Sequence, residues 1–278
     1  MSKISKVFKN GKAFIGFLTA GDPSKEKTIE YVLAMEEAGA DIVEIGIPFS
    51  DPIAEGPVIQ KANIRALKQG VNTDTIFDLV ERIREKSDIP LVFLTYINPV
   101  FYYGYEKFFK KCSELDINGI VIPDLPYEEK NEILEFTKKY NVDIISLIAP
   151  TSKERIQLIA KEATGFIYLV SSMGVTGVRS EIKTNLSEII QEIRSVTNIP
   201  IAVGFGINTP EQSKNIAKVA DGVIVGSAIV RIIEKYGDNS VQYIKDYVSE
   251  MKDATRLIWI SLNLNQTLFI KLYINLTS

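Results

Sequence analysis

Histidine is absent from the 278 residues, and cysteine occurs once, as Cys112. The absence of histidine excludes histidine-based catalytic triads, histidine metal ligands and histidine acid/base catalysis. A single cysteine excludes an internal disulfide and is typical of a reducing compartment. Proton transfer must therefore come from carboxylate, tyrosine or lysine side chains.

An excess of basic residues is also absent, because 35 aspartates and glutamates accompany 32 lysines and arginines. The two signs are interspersed along the predicted helices, which argues against a face that binds nucleic acid. Residues 1–6 lack the apolar core of a signal peptide, so we expect a cytoplasmic protein.

The chain instead alternates short apolar runs with helical patterns. Strands are predicted at residues 13–19, 42–47, 91–96, 119–122, 143–148, 166–170, 201–204 and 222–225. Helices are predicted at residues 25–38, 57–69, 75–86, 106–115, 128–140, 153–162, 186–196, 210–219, 228–233 and 240–251. Eight units of roughly 25 to 35 residues favour an α/β fold, a (β/α)8 TIM barrel in one domain with extra short helices, over an open doubly wound sheet.

The barrel is expected to span residues 1–251, and residues 252–278 form a C-terminal appendage of unknown role. This appendage is apolar and partly alternating, but its asparagine, glutamine and lysine residues argue against a membrane span. We expect the barrel to fold without it.

Glu44 lies in the middle of the second apolar strand. An ionised carboxylate among apolar neighbours pays a desolvation cost unless it is paired or its pKa rises, and a raised pKa suits a proton-transfer group. The alternative is a structural salt bridge. The loop that follows carries Asp51 and Glu55 before Pro57 begins a helix.

TIM-barrel active sites lie at the C-terminal ends of the strands, with a phosphate often held after strands seven and eight. Small residues follow these strands: Gly206 after strand seven, Gly226 and Ser227 after strand eight, with Gly177 in the long loop after strand six. The side chains expected at the mouth of the barrel are Phe17, Leu94, Tyr96 and Tyr168. The pocket is therefore predicted to hold a flat apolar group at one end and a phosphate at the other, with a carboxylate between them.

Several motifs together resemble the tryptophan synthase alpha subunit family, over about residues 1–251. They are Gly-Asp-Pro at 21–23, residues 44–57, Pro-Asp-Leu-Pro at 123–126, Gly-Val-Thr-Gly at 174–177, Gly-Phe-Gly-Ile at 204–207 and Gly-Ser-Ala-Ile-Val at 226–230. The resemblance implies a lyase that cleaves indole-3-glycerol phosphate to indole and glyceraldehyde 3-phosphate by a retro-aldol step.

The same resemblance implies the roles of individual residues. Glu44 would be the principal acid/base, with Tyr168 beside it. Glu55 stands where the family usually has aspartate, and would stabilise positive charge at the indole nitrogen. Phosphate contacts would come from Gly177, Gly206, Gly226 and Ser227, and indole packing from Phe17, Leu94 and Tyr96.

A partner is also implied by the resemblance. The chain would need no cofactor of its own and would dock a beta subunit that carries pyridoxal phosphate, in an alpha2-beta2 tetramer, and pass indole to it. We hypothesise a hydrogen bond from Thr176 to Glu55 that forms on loop closure and carries part of the activation by the partner. The alternatives are a non-catalytic activator of the beta chain and a different phosphate-binding TIM-barrel enzyme.

Overall fold

The computed structural model describes residues 2–171 and 186–256, which alternate strands and helices. The barrel strands are β1 Ala13–Thr19, β2 Ile42–Gly46, β3 Leu91–Leu94, β4 Ile117–Val121, β5 in two parts (Asp143–Ile144 and Ser146–Ile148), β6 Ile167–Val170, β7 Ile201–Gly204 and β8 Gly222–Val225. The helices are α1 Lys3–Val7, α2 Lys25–Glu37, α3 Pro57–Lys68, α4 Thr73–Arg84, α5 Ile97–Tyr103, α6 Tyr105–Glu114, α7 Asn131–Lys139, α8 Lys153–Lys161, α9 Leu186–Arg194, α10 Pro210–Ala217, α11 Ser227–Tyr236 and α12 at 240–256.

Polar caps fix where several helices begin. The side chains of Ser24, Asn72, Ser152 and Thr209 each accept a hydrogen bond from the backbone N–H three residues later. Such a bond satisfies one of the backbone donors that the first helical turn leaves free. These caps therefore fix the first residues of α2, α4, α8 and α10.

All strand pairs are parallel, and neighbouring strands in the chain are neighbours in the sheet. β5 is interrupted at Ile145: its first part pairs with β4 and its second part pairs with β6. Because β1 also pairs with β8, the sheet curves into a barrel. The predicted TIM-barrel fold is confirmed.

The barrel interior is a separate apolar cluster from the layer between strands and helices. Ile4 of α1 is buried beneath it, so this short helix covers the N-terminal end of the barrel. The interior cluster is Ile4, Ile15, Ile42, Val92, Val121, Ile145, Phe166, Tyr168, Val170, Ala202 and Ile224. The barrel interior is therefore filled by side chains below the C-terminal ends of the strands.

Several predicted boundaries are wrong. α1 and α5 are not among the predicted helices, because α1 has only five residues, and α5 contains Pro99 and ends before Gly104 after seven. β5 was predicted as one continuous strand. The last helix does not end at residue 251 but continues to residue 256.

The division of the chain at residue 251 stays a prediction. Residues 252–256 continue α12, and within them Lys252 is buried and its Nζ donates to the Asp41 carboxylate at 2.6 Å and to the Lys12 carbonyl at 2.8 Å. Residues 257–278 lie outside the described residues. Within residues 2–171 and 186–256, we find no helix with both the length and the apolar character needed to cross a bilayer.

Candidate active site

Glu44 occupies the middle of β2 and is paired in register with Phe17 of β1 and Val92 of β3. Its side chain is 1% exposed, and its Oε1 atom has no hydrogen-bond partner among the described residues. Burial raises the pKa of Glu44 to about 8, and repulsion by the Glu55 carboxylate contributes to the shift. No ion pair of Glu44 is present in the described part of the chain, so a structural salt bridge does not account for its position.

Glu55 lies in the loop after β2, directly before α3, and is 5% exposed. Its Oε2 atom accepts a hydrogen bond of 2.9 Å from Nδ2 of Asn63 on α3. Burial raises the pKa of Glu55 to about 7, against the opposing effect of hydrogen bonds from Asn63 and Tyr96. Two carboxylates with raised pKa values therefore share one buried region.

Tyr168 of β6 points into the barrel and packs against the C-terminal end of β7. A Cβ atom at Gly204 would lie 2.5 Å from the Tyr168 hydroxyl oxygen, so the absence of a side chain there makes room for the ring. Phe205 has a positive φ of 73° and contacts the Tyr168 ring edge to face, with centroids 5.9 Å apart. Burial, together with repulsion by Glu44, raises the pKa of Tyr168 well above its ordinary value.

Phe17 of β1 lies between two glycines. A Cβ atom would come within 2.8 Å of the Phe17 ring at Gly46 and within 3.2 Å of it at Gly226. Phe17 belongs to an apolar cluster at the mouth that Leu94 also contacts. The two side chains come from β1 and β3, the strands on either side of the one that carries Glu44.

Tyr96 is buried at the start of α5 and connects the loops after β2 and β3. Its hydroxyl accepts a hydrogen bond of 3.1 Å from the Ala54 N–H, and its ring stacks on Phe49 with centroids 5.2 Å apart. Its hydroxyl is also hydrogen-bonded to the Glu55 carboxylate. Tyr96 therefore contributes to the carboxylate region as well as to the apolar pocket.

The opposite end of the site consists of backbone. Gly226 precedes α11, Ser227 is its first residue, and no side chain caps this helix. N–H groups at a helix start favour an anion. Gly206 follows β7 with a φ of 91°, a conformation that suits glycine. Because β7 and β8 are adjacent, these residues lie beside one another at the mouth.

Two predicted site residues, Thr176 and Gly177, lie outside the described residues, and so does the hypothesised contact between Thr176 and Glu55. Sequence reasoning missed Asn63, Phe49 and Phe205. One signal for Asn63 was present: it is a polar residue of low helix propensity on the face of α3 that carries the buried Ile59, Ala62 and Ala66.

Fold and site together define a class of protein: a TIM barrel with two buried carboxylates, apolar side chains and an uncapped helix start at the C-terminal ends of its strands. Within residues 2–171 and 186–256, no cluster of three or more acidic or cysteine side chains is arranged to hold a metal ion.

A family model described as tryptophan synthase alpha chain matches residues 4–256. The tryptophan synthase alpha chain of Lacticaseibacillus casei is 52% identical over 254 residues, covering 91% of this chain and 96% of that protein. The crystal structure of the alpha chain from Legionella pneumophila superposes with a TM-score of 0.83 at 34% identity, covering 93% of this chain and 98% of that one. A Mycobacterium tuberculosis tryptophan synthase structure gives a TM-score of 0.84 at 32% identity, covering 92% and 98% of the two chains.

The chain belongs to the tryptophan synthase alpha chain family. It is a lyase of tryptophan biosynthesis, and its reaction is the cleavage of indole-3-glycerol phosphate. The family and the activity predicted from the sequence are confirmed, whereas the roles of the individual site residues stay predictions.

Proposed function

We propose that Glu44 is the acid/base of the retro-aldol cleavage and protonates the indole ring carbon so that the bond to the glycerol phosphate chain can break. The observation that carries this proposal is a buried carboxylate with a raised pKa and one oxygen without a hydrogen-bond partner in the described residues. A pKa of about 8 keeps Glu44 protonated at neutral pH, as a proton donor requires. The electrons of the broken bond then return to the indole ring, and Glu44, ionised by its donation, takes up the proton of the adjacent glycerol hydroxyl as that carbon becomes the aldehyde.

Glu55 stabilises the positive charge that develops at the indole nitrogen when the ring carbon is protonated. Its burial supports this role, because a charge interaction is stronger where water is excluded. Tyr168 lies beside Glu44, and repulsion between the two groups disfavours ionisation of the tyrosine. Tyr168 therefore remains a neutral hydroxyl that orients the proton donor.

The substrate spans the mouth of the barrel. Its phosphate binds the backbone N–H groups at Gly206, Gly226 and Ser227, with Gly177 from the loop after β6. Its indole ring packs against Phe17, Leu94 and Tyr96. Thr176 donates to Glu55 when that loop closes, which fixes the second carboxylate. The uncapped N-terminus of α11 supports the phosphate assignment.

The partner is a tryptophan synthase beta chain, which carries the pyridoxal phosphate, in an alpha2-beta2 tetramer in the cytoplasm. The name of the family describes one chain of a larger enzyme. The surface that supports docking is the mouth itself, where the apolar side chains of Ile53, Phe101 and Tyr102 are 69%, 67% and 94% exposed. Exposed apolar side chains beside a site are typical of protein interfaces.

The proposed chemistry is tested by measuring free indole released from indole-3-glycerol phosphate, with and without a beta chain. We expect Glu44→Gln to lower release by about 100- to 10,000-fold, the usual loss for a general acid/base, while substrate still binds. Exposed Glu211→Gln on α10 is the matched control. Normal turnover in Glu44→Gln would contradict the role of Glu44, and a wild-type chain that activates the beta chain without releasing indole would favour the activator alternative.

The proposed docking surface is tested separately. We expect the double variant Phe101→Ser and Tyr102→Ser to retain basal cleavage and to lose most activation by the beta chain. Leu158→Ser on α8 changes an apolar side chain of 43% exposure outside this surface and is the control. Unchanged activation of the double variant would exclude this surface as the docking site.

A further inference from the structure

Asn63 makes a contact that no role in the cleavage reaction yet explains. Its Nδ2 atom lies 2.9 Å from Oε2 of Glu55, and the two side chains are 4% and 5% exposed. A buried amide that donates to a carboxylate in place of water restricts where that carboxylate can lie. The contact therefore bears directly on the geometry of Glu55.

The helix that carries Asn63 is itself fixed. Nε and Nη2 of Arg65 each lie 2.7 Å from a carboxylate oxygen of Asp22, which is 1% exposed in the loop after β1. Nε2 of Gln60 donates to the Glu55 carbonyl at 2.8 Å. Asn63 thus donates from a rigid helix to a side chain on the loop in front of it.

A glutamate has one more rotatable bond than aspartate, and a free glutamate side chain samples several staggered conformations. The contact with Asn63 selects among these conformations and holds the longer side chain against α3. We propose that Asn63 is a positioning residue that sets the location of the Glu55 carboxylate for the indole nitrogen and favours its ionised form. This inference rests on the proposed role of Glu55.

The groups that face Glu55 decide whether its carboxyl group is ionised. The amide of Asn63 donates, and so stabilises the carboxylate relative to the acid. The titratable groups near Glu55 are Glu44 from β2 and Tyr96 from the start of α5. Burial raises the pKa of Glu55 to about 7, and loss of the Asn63 amide would raise this pKa further.

Two substitutions separate the amide from the volume it fills. Asn63→Ala removes the donor and leaves a cavity, whereas Asn63→Leu removes the donor and fills the space. We expect both variants to lose roughly 10- to 100-fold of indole release at pH 7, the size of a lost hydrogen bond to a charged group. In both, the acidic limb of the pH profile of kcat/KM should move to higher pH.

Asn215→Ala is the matched control, because Asn215 donates to Glu211 at 3.2 Å in an exposed contact on α10. It should leave the pH profile unchanged. In a Glu55→Gln background, Asn63→Leu should lower indole release little further, because the carboxylate that Asn63 positions is gone. Thermal unfolding of each variant confirms that the barrel is folded.

The outcomes distinguish this inference from the role of Glu55 itself. If Glu55→Gln lowers cleavage but Asn63→Leu leaves the acidic limb in place, the inference about Asn63 is overturned while the role of Glu55 stands. If Glu55→Gln retains normal cleavage, both are overturned. If Asn63→Leu lowers indole release by the same factor in the parent chain and in Glu55→Gln, Asn63 acts on the fold alone. This result also overturns the inference.

Discussion

The two buried carboxylates predict a bell-shaped pH profile. Glu55 must be ionised and has a pKa of about 7, whereas Glu44 must be protonated and has a pKa of about 8. We therefore expect kcat/KM for indole release, which reports the free enzyme, to fall below about pH 7 and above about pH 8. In Glu55→Gln the acidic limb should disappear, and the basic limb should move to lower pH because repulsion on Glu44 is lost. A basic limb that stays in place would contradict the coupling of the two groups.

Gly204 controls the position of Tyr168. A Cβ atom there would lie 2.5 Å from the hydroxyl oxygen and 2.6 Å from Cε1 of Tyr168, so Gly204→Ala must displace the ring. A displacement of about 1 Å in an active site can cost on the order of 100-fold in rate, so we expect a loss of about that size. Steady-state cleavage, together with a thermal unfolding curve that shows a folded barrel, measures it. Normal turnover would mean that the position of Tyr168 is not critical.

At the level of single residues, the sequence predicted which strands carry the site but not the contacts made by its side chains. Glu44 could be identified because an acid in an apolar strand is unusual. The partnership of Glu55 with Asn63 could not, because it depends on how the loop meets α3. The packing of Phe17 between Gly46 and Gly226 depends on the relative register of three strands.

Among the elements, long and strongly periodic segments were predicted well and short ones were not. α1 has only five residues, and its stability comes from burial of Ile4 beneath the barrel rather than from helix propensity. β5 is interrupted at Ile145, where its pairing changes from β4 to β6. Ring closure of this kind is a tertiary constraint that local patterns do not contain.

The last helix gives a prediction about the N-terminal end of the barrel, where Lys252 contacts residues that directly precede β1 and β2. Lys252 of α12 is 6% exposed and binds Asp41, which also accepts the Phe14 N–H at 2.7 Å. We expect Lys252→Met to lower the unfolding free energy by about 1 to 3 kcal/mol, because a buried charge contact is lost. Thermal unfolding would register this change as roughly 2–4 °C per kcal/mol.

A control for this prediction lies on the same helix. Nζ of Lys245 pairs with Glu37 at 2.5 Å, but the glutamate is 71% exposed, and surface pairs contribute only about 0 to 1 kcal/mol. Lys245→Met should therefore change the melting temperature little. Equal shifts of the melting temperature in Lys252→Met and Lys245→Met would mean that the Lys252 contact stabilises the barrel no more than a surface ion pair does. Deletion of residues 257–278, by contrast, removes none of these contacts.

For the whole molecule, the acid that serves catalysis also lowers stability. The pKa of Glu44 is about 8 in the folded chain against an ordinary value of 4.5, so the folded state binds more protons than the unfolded state between these values. The stability that protonated Glu44 contributes is complete below about pH 4.5 and is lost as the pH rises toward 8. Glu44→Gln cannot ionise and avoids this loss.

We therefore expect Glu44→Gln to be inactive but more stable than the parent chain at pH 8. The gain should be at least about 1 kcal/mol, or roughly 2–4 °C in melting temperature for a domain of this size, and should vanish near pH 5. Thermal unfolding of both chains from pH 5 to pH 8.5 measures the difference, with exposed Glu211→Gln as the control. Parallel stability curves for Glu44→Gln and the parent would mean that the carboxylate is solvated in the folded chain. Glu44 could then not be the proton donor, because a solvated carboxylate would not retain its proton at neutral pH.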